Sequence, residues 1–175
     1  GGNVLKFIGS LLVIISTTVA GFILGGKFKK RTFQLKEMER AIYQLQNEII
    51  YTHTALPEAF LKVHEKSSCP LNEFFKIVSH MLYFNEVDSV YEGFKCALKK
   101  MKNPLDINKE DMNVILSLGK TLGESDIEGQ KRMFALTLEN LKKQIIEAEI
   151  LMKKNVKMYR YLGFTLGTMI VIMFI

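Results

Sequence analysis

The sequence has few cysteines, and neither of its ends contains an acidic residue. Only Cys69 and Cys96 occur among the 175 residues, too few for a disulfide framework. Residues 1–35 and 150–175 contain nine basic residues and no acid. The middle, 36–149, retains 15 basic and 18 acidic residues, so it is mildly acidic. A nucleic-acid-binding domain is expected to carry a basic stripe, and the charge distribution therefore argues against a nucleic-acid partner.

Motifs that carry catalysis or hold cofactors are also missing. The sequence contains no G-x-S-x-G nucleophile motif and no G-x-x-x-x-G-K-[ST] phosphate-binding loop. Two carboxylate pairs, Glu110/Asp111 and Glu124/Asp126, stand at predicted helix starts, where capping is favoured over acid–base chemistry. The histidines have no metal-ligand spacing with one another or with the cysteines, and we predict neither an enzyme nor a metal or cofactor site. These histidines are His53, His64 and His80.

A long uncharged run lies near the N-terminus. Residues 7–26 are 20 residues without a charge, which as a helix span about 30 Å, the thickness of the hydrocarbon core of a bilayer. We interpret this run as transmembrane helix 1, after a short tail of residues 1–6. A cleaved signal peptide is the alternative, because Thr18-Val19-Ala20 resembles a cleavage site. Against it, the apolar run continues past Ala20 and the basic cluster follows the run.

A second uncharged segment ends the sequence. Residues 161–175 reach only about 22 Å as a helix, but adding Met158 to Arg160 makes a full crossing feasible, with Arg160 reaching the headgroups. We favour a crossing as transmembrane helix 2, and a half-inserted tail is the alternative. Both basic clusters flank the intervening residues 27–160, so the positive-inside rule predicts that this domain is cytoplasmic. The clusters are Lys27, Lys29, Lys30, Arg31 and Lys153, Lys154, Lys157, Arg160.

Hydrophobic periodicity predicts an all-α domain between the two spans. Capping signals at Ser89, Asn108 and Ser125, and prolines at 57 and 70, divide it into a six-helix cytosolic bundle whose outer helices continue into the spans. Gly123 is expected to end the fifth helix. The first helix, about 34–53, carries the stripe Leu35, Met38, Ile42, Leu45, Ile49 and Thr52. The last carries Phe134, Leu138, Leu141, Ile145, Ala148, Met152, Val156 and Tyr159.

Each predicted span contains one G-x-x-x-G motif near its cytoplasmic end. Gly21 and Gly25 lie in the first span, and Gly163 and Gly167 lie in the second. Glycines four residues apart allow helix backbones to approach closely, so these four are candidates for packing of the spans. The motif is common in membrane helices, and a chance occurrence is the alternative.

The sequence resembles the stage III sporulation protein AB family of endospore-forming bacteria over essentially its whole length. The residues that carry the resemblance are Glu48-Ile49-Ile50-Tyr51-Thr52, Ala55-Leu56-Pro57-Glu58-Ala59, Leu122-Gly123-Glu124-Ser125-Asp126 with Gln130, and Met158-Tyr159-Arg160-Tyr161-Leu162-Gly163. That family is similar to the F-type inner-membrane platform protein of type II secretion systems, whose cytoplasmic repeat is a six-helix bundle. Platform proteins usually carry two such bundles, and a homo-oligomer would supply the second here.

The resemblance implies a non-enzymatic platform in the mother-cell membrane around the forespore. It also implies a secretion-type ATPase of the same operon and other channel proteins as partners, besides the lipid bilayer. The acidic turn formed by Glu124, Ser125, Asp126 and Glu128 is our candidate for ATPase docking, with helix capping as the alternative use of Ser125 and Asp126. A two-span sensor or receptor with a helical domain is the alternative function.

Overall fold

The computed structural model describes residues 2–174. Gly1 and Ile175, which begin the predicted tail and end the second predicted span, lie outside the described residues. Six α-helices and a short π-helix are present, and residues 2–174 include no β-strand. The elements are α1 (Gly2–Gln46), the π-helix (Asn47–Tyr51), α2 (Leu56–Lys66), α3 (Leu71–Tyr83), α4 (Val90–Lys100), α5 (Lys109–Thr121) and α6 (Ile127–Phe174). The predicted all-α class is confirmed.

The chain forms two compact units. The first unit contains Gly1–Thr32 and Glu147–Ile175, so it is built from the N-terminal part of α1 and the C-terminal part of α6. The second unit is Phe33–Ile146, which contains the four shorter helices complete. The candidate glycines fall in the first unit, and the acidic turn falls in the second.

Two of the predicted helix caps are confirmed in the second unit. The Ser89 hydroxyl oxygen accepts a hydrogen bond from the backbone N–H of Glu92 at 3.2 Å, which starts α4. At α5, the Asn108 side chain accepts from the Asp111 N–H at 2.8 Å, and the Asp111 carboxylate accepts from the Asn108 N–H at 2.9 Å. This reciprocal pair satisfies two N–H groups that the helix start leaves without partners.

The predicted cap of the last helix is wrong by one residue. Asp126 caps α6, because its carboxylate accepts a hydrogen bond from the backbone N–H of Gly129 at 2.8 Å. The capping signal at Ser125 predicts that Ser125 caps this helix, but α6 begins only at Ile127, so Ser125 lies one position too early. Gly123 has φ +84°, as expected for a residue that turns the chain after a helix.

The predicted stripe on α1 is correct up to Leu45 and fails beyond it. Leu35, Met38, Ile42 and Leu45 are buried, but Ile50 is buried in place of Ile49, and Thr52 is exposed. The cause is the π-helix, in which the Thr52 N–H donates to the Asn47 carbonyl, five residues earlier, at 3.0 Å. One extra residue in the turn shifts the inward-facing position by one.

Phenylalanines from three helices form the centre of the second unit. Phe60 of α2 meets Phe94 of α4 edge to face, with ring centroids 5.7 Å apart. Phe74 of α3 lies 5.2 Å from Phe94 and 5.1 Å from its neighbour Phe75. All four rings are buried, so they contribute both apolar area and aromatic pair energy. Aliphatic residues of α1 and α6 complete this core.

Removing the Asn108 cap should destabilise the protein by about 1 kcal/mol, because the Asp111 N–H would lose its partner. In detergent-solubilised full-length protein, Asn108→Ala should therefore lower the melting temperature by about 2–4 °C. Asn113→Ala is the matched control, since Asn113 is exposed within the same helix and alanine favours helix. Equal melting temperatures for the two variants would contradict the capping assignment.

Candidate functional site

In the first unit, two of the candidate glycines lie where the two helices are too close for a side chain. A Cβ atom added to Gly21 would stand 2.5 Å from the Tyr159 carbonyl oxygen. One added to Gly163 would stand 2.7 Å from the Thr17 carbonyl oxygen. Both neighbours are backbone atoms, which cannot rotate away as a side chain can. Any larger residue at these positions would push the helices apart.

The other two candidate glycines differ from each other. A Cβ atom at Gly167 would lie 2.6 Å from the Thr17 hydroxyl oxygen and 3.0 Å from the Ile14 Cα. A Cβ atom at Gly25 would lie 3.6 Å from the Val156 Cα, which is an ordinary contact. Gly25 therefore has room for a small side chain, whereas Gly167 does not. The structure brings all four glycines to contacts between α1 and α6.

Aromatic rings and a guanidinium group join the same two helices at the basic end of the apolar segments. The Phe28 and Tyr159 rings stack with centroids 6.2 Å apart. The Arg160 guanidinium carbon lies 5.0 Å from the centroid of the Phe22 ring, in cation–π geometry. These contacts extend the helix pairing beyond the glycines to the edge of the charged clusters.

The α1 helix is long and apolar enough to cross a membrane, and it is the one helix of the described residues that meets this test. Its large apolar side chains in the predicted span are exposed to half or more of their area at most positions. This helix fits membrane association. The exposed side chains include Ile8, Leu11, Leu12, Ile15, Val19, Phe22 and Ile23. Exposed apolar residues also occur near the end of α6, at Phe164, Leu166, Met169, Ile172 and Met173.

The acidic turn of the second unit contains residues with different structural uses. Asp126 caps α6, and the Ser125 carbonyl accepts a hydrogen bond from the Gln130 side chain at 2.9 Å. Glu128 pairs with Lys131 at 2.8 Å, and this hydrogen bond raises the pKa of the Lys131 ammonium group. Glu124 is exposed, and within residues 2–174 its carboxylate makes no hydrogen bond or ion pair. Among the acidic residues of this turn, Glu124 is thus the one whose carboxylate neither caps a helix nor forms an ion pair in the described structure.

A partly buried ion pair that sequence reasoning missed joins the π-helix to α2. The Glu48 carboxylate accepts hydrogen bonds from the Lys62 ammonium at 3.0 Å and from the Thr54 hydroxyl at 2.9 Å. These bonds, that of Lys62 first, hold the pKa of Glu48 below its usual range. The side chain of Glu48 is only 12% exposed. Glu48, the first residue of the first motif of the family resemblance, therefore has a structural role. Lys62 lies 14 residues after Glu48, and no local sequence pattern predicts a pair at that spacing.

The histidines and cysteines are dispersed. The described residues contain no group of three or more His, Cys, Asp or Glu side chains placed to hold a metal ion. His64 Nδ1 lies 2.8 Å from the Asn72 carbonyl oxygen, and His80 Nδ1 lies 3.4 Å from the Glu86 carboxylate. Cys69 and Cys96 are free thiols, of which Cys69 is exposed.

Three comparisons with known proteins point to the same family. The stage III sporulation protein AB family matches residues 6–175. The chain is similar to stage III sporulation protein AB of Bacillus subtilis (strain 168), with 29% identity over 169 residues, covering 97% of this chain and 98% of that protein. A solved structure of a stage III sporulation protein AB superposes with a TM-score of 0.64 and 28% identity. That superposition covers 70% of this chain and 95% of the solved chain.

Leucine at Gly21 or Gly163 should weaken the pairing of the two helices by an amount of about 1–2 kcal/mol, the range found for small-residue contacts in model systems. The readout is a disulfide between Gly25→Cys and Val156→Cys, whose Cβ atoms would lie 3.9 Å apart, within the disulfide range. Cys69 and Cys96 are replaced by serine in this background.

The matched control is Gly9→Leu, because no atom lies within 4 Å of a Cβ at Gly9. We expect efficient crosslinking in the parent and in Gly9→Leu, and reduced crosslinking in the other two variants. Absence of the crosslink in the parent, or equal crosslinking in all variants, would contradict the close glycine contact.

Proposed function

The chain belongs to the stage III sporulation protein AB family, and from this premise we propose that it is a non-enzymatic membrane platform of a secretion-like sporulation channel. In this role two membrane spans hold a cytoplasmic helical bundle in the mother-cell membrane around the forespore. The bundle then docks a secretion-type ATPase of the same operon and other channel proteins. The resemblance to F-type platform proteins supports this reading.

One structural observation carries the proposal. The chain joins an apolar helix, whose large side chains are exposed, to a well-packed helical unit with an aromatic core. In the hydrocarbon core of a bilayer, the exposed apolar side chains of such a helix avoid the unfavourable free energy of contact with water. A protein that is anchored in this way and has a rigid folded part is suited to hold partners at a membrane surface.

The register of the helix pair supports a second crossing. Contacts join Gly21 to Tyr159, Gly25 to Val156, and Gly163 to Thr17, so the helices are antiparallel and the residue numbers of each pair add to 180 or 181. By the same register, Met173 comes to the level of Ile8. The end of α6 would therefore reach the far side of the bilayer wherever α1 does, although its own uncharged run is short. We propose that residues 161–175 span the membrane with α1.

We propose that the acidic turn contributes to ATPase docking chiefly through Glu124. Helix capping explains Asp126, and the ion pair with Lys131 neutralises Glu128, so neither needs a partner protein. Glu124 is exposed, and three residues later Ile127, the first residue of α6, has an exposed apolar side chain. An exposed acid near an exposed apolar residue suits a partner surface that combines a basic group with an apolar contact. A homo-oligomer would place two such turns in one complex.

Glu124→Lys should weaken co-purification of the ATPase roughly tenfold at low salt, because a favourable charge contact would become repulsive. The melting temperature should stay nearly unchanged, since exposed substitutions usually alter stability by less than about 0.5 kcal/mol. Glu65→Lys is the control, because Glu65 is an exposed residue of α2 and undergoes the same change of charge. ATPase binding that is equal in both variants and the parent would remove the acidic turn as the docking surface.

A further inference from the structure

A cavity of about 430 Å³ lies in the first unit, at the end of the helix pair where the basic residues are found. Its volume falls within the range of about 300–1,000 Å³ that small-molecule sites occupy. Most of its lining belongs to α6, and α1 contributes one residue. The residues that line it are Lys29 of α1 and Met152, Lys153, Val156, Lys157 and Arg160 of α6.

The chemistry of the lining is unusual because it combines cations with apolar groups and includes no acid. Lys153, Lys157 and Arg160 lie at spacings of four and three residues, which place them on one face of α6. Lys29 adds a fourth cation from the other helix. Met152 and Val156 form the apolar part of the wall. Such a lining suits a ligand that has an anionic group attached to an apolar body.

The position of the cavity along the chain indicates which ligand this is. Lys29 lies three residues beyond the predicted first span, and Arg160 lies one residue before the predicted second span. A rise of 1.5 Å per residue places Lys29 about 5 Å beyond the end of its apolar segment, at the depth of the lipid headgroups, and the register of the helix pair sets Lys153 at nearly the same level. The Arg160 guanidinium over the Phe22 ring shows the same transition from charge to apolar surface.

We propose that this cavity binds the phosphodiester headgroup of one anionic phospholipid. The phosphate oxygens accept hydrogen bonds from the cations of both helices, and the acyl chains follow the apolar surface of α1 and α6. Basic pockets between membrane helices on the cytoplasmic side are known sites for anionic lipids. The positive-inside rule alone accounts for basic residues at this depth, but not for their convergence from two helices on one cavity. The proposal rests on membrane anchoring and is independent of ATPase docking.

The test uses full-length protein in an uncharged detergent. Phosphatidylglycerol with a fluorescent acyl chain is titrated by anisotropy, and phosphatidylcholine with the same chain is the comparison for a headgroup without net charge. We expect saturable binding with a clear preference for phosphatidylglycerol. Lys29→Gln/Lys153→Gln should weaken this binding about 30-fold, about fivefold for each charge removed.

The matched control is Lys30→Gln/Lys154→Gln. It removes the same two charges from the same two helices at exposed positions one residue further along, outside the lining. We expect the control to bind within about twofold of the parent, since these lysines contribute only to the general field. If the first pair of substitutions lowers helix content, Lys157→Gln is compared with Lys154→Gln, with an expected difference of about fivefold.

Three results would overturn the proposal. If the lining variant and its control weaken phosphatidylglycerol binding equally, the lipid is attracted by the overall positive charge and not by this cavity. Equal binding of the two lipids would remove headgroup recognition. Displacement of the lipid by glycerol 1-phosphate or inorganic phosphate at concentrations equal to that of the lipid would identify a free anion as the occupant. Flotation of the protein with neutral liposomes measures anchoring separately, so a failure of the platform proposal is distinguishable from a failure of this one.

Discussion

The exposed apolar surface of α1 is the constraint on which the rest of the structure depends. Large apolar side chains between Ile8 and Leu24 are exposed at most positions, and water is an unfavourable environment for so long an apolar surface. Contact with lipid removes this cost for the exposed side chains. The face of α1 that carries Gly21 and Gly25 instead packs against α6 of the same chain. Because apolar helices gain little from burial in lipid, close backbone packing has to provide the association.

The same constraint explains the arrangement of charge. Basic residues collect at one end of both apolar segments, and acidic residues are confined to 36–149. In the proposed two-span arrangement, these basic residues reach the lipid headgroups. Inside the second unit, charged groups serve a different purpose. Glu48 is held by Lys62 and Thr54, and the Glu73 carboxylate accepts a hydrogen bond from the Lys102 N–H at 2.8 Å, which keeps the pKa of Glu73 low. These carboxylates fix turns between helices, and they are part of the fold.

Much of this fold could be predicted from the sequence, because helix periodicity and caps are local signals. The spacing of apolar residues correctly predicted the buried stripe of α1 as far as Leu45 and that of α6 from Phe134 to Ala148. Ser89 and Asn108 predicted two helix starts correctly. The π-helix was missed, because the apolar spacing was interpreted as a regular α-helix through Thr52 and π-turns are rare. The predicted cap at Ser125 was wrong because two adjacent residues, Ser125 and Asp126, both suit an N-cap position, and Asp126 is the one that caps α6. The G-x-x-x-G motifs identified the candidate glycines in the sequence. They could not show that Gly21 has no room for a side chain whereas Gly25 has, because this depends on the distance to the backbone of α6.

The central claim is that the helical unit is held at the cytoplasmic face of a membrane, and thiol labelling in intact cells tests it most directly. Cys69 is exposed and Cys96 is partly exposed, and both are free thiols. With a membrane-impermeant maleimide, our account predicts no labelling of either cysteine in intact cells. It predicts labelling of Cys69 after lysis without unfolding, beside a cytosolic control protein that behaves in the same way. Labelling of Cys69 in intact cells while the cytosolic control stays unlabelled would contradict the account, because it would place the helical unit outside the cell.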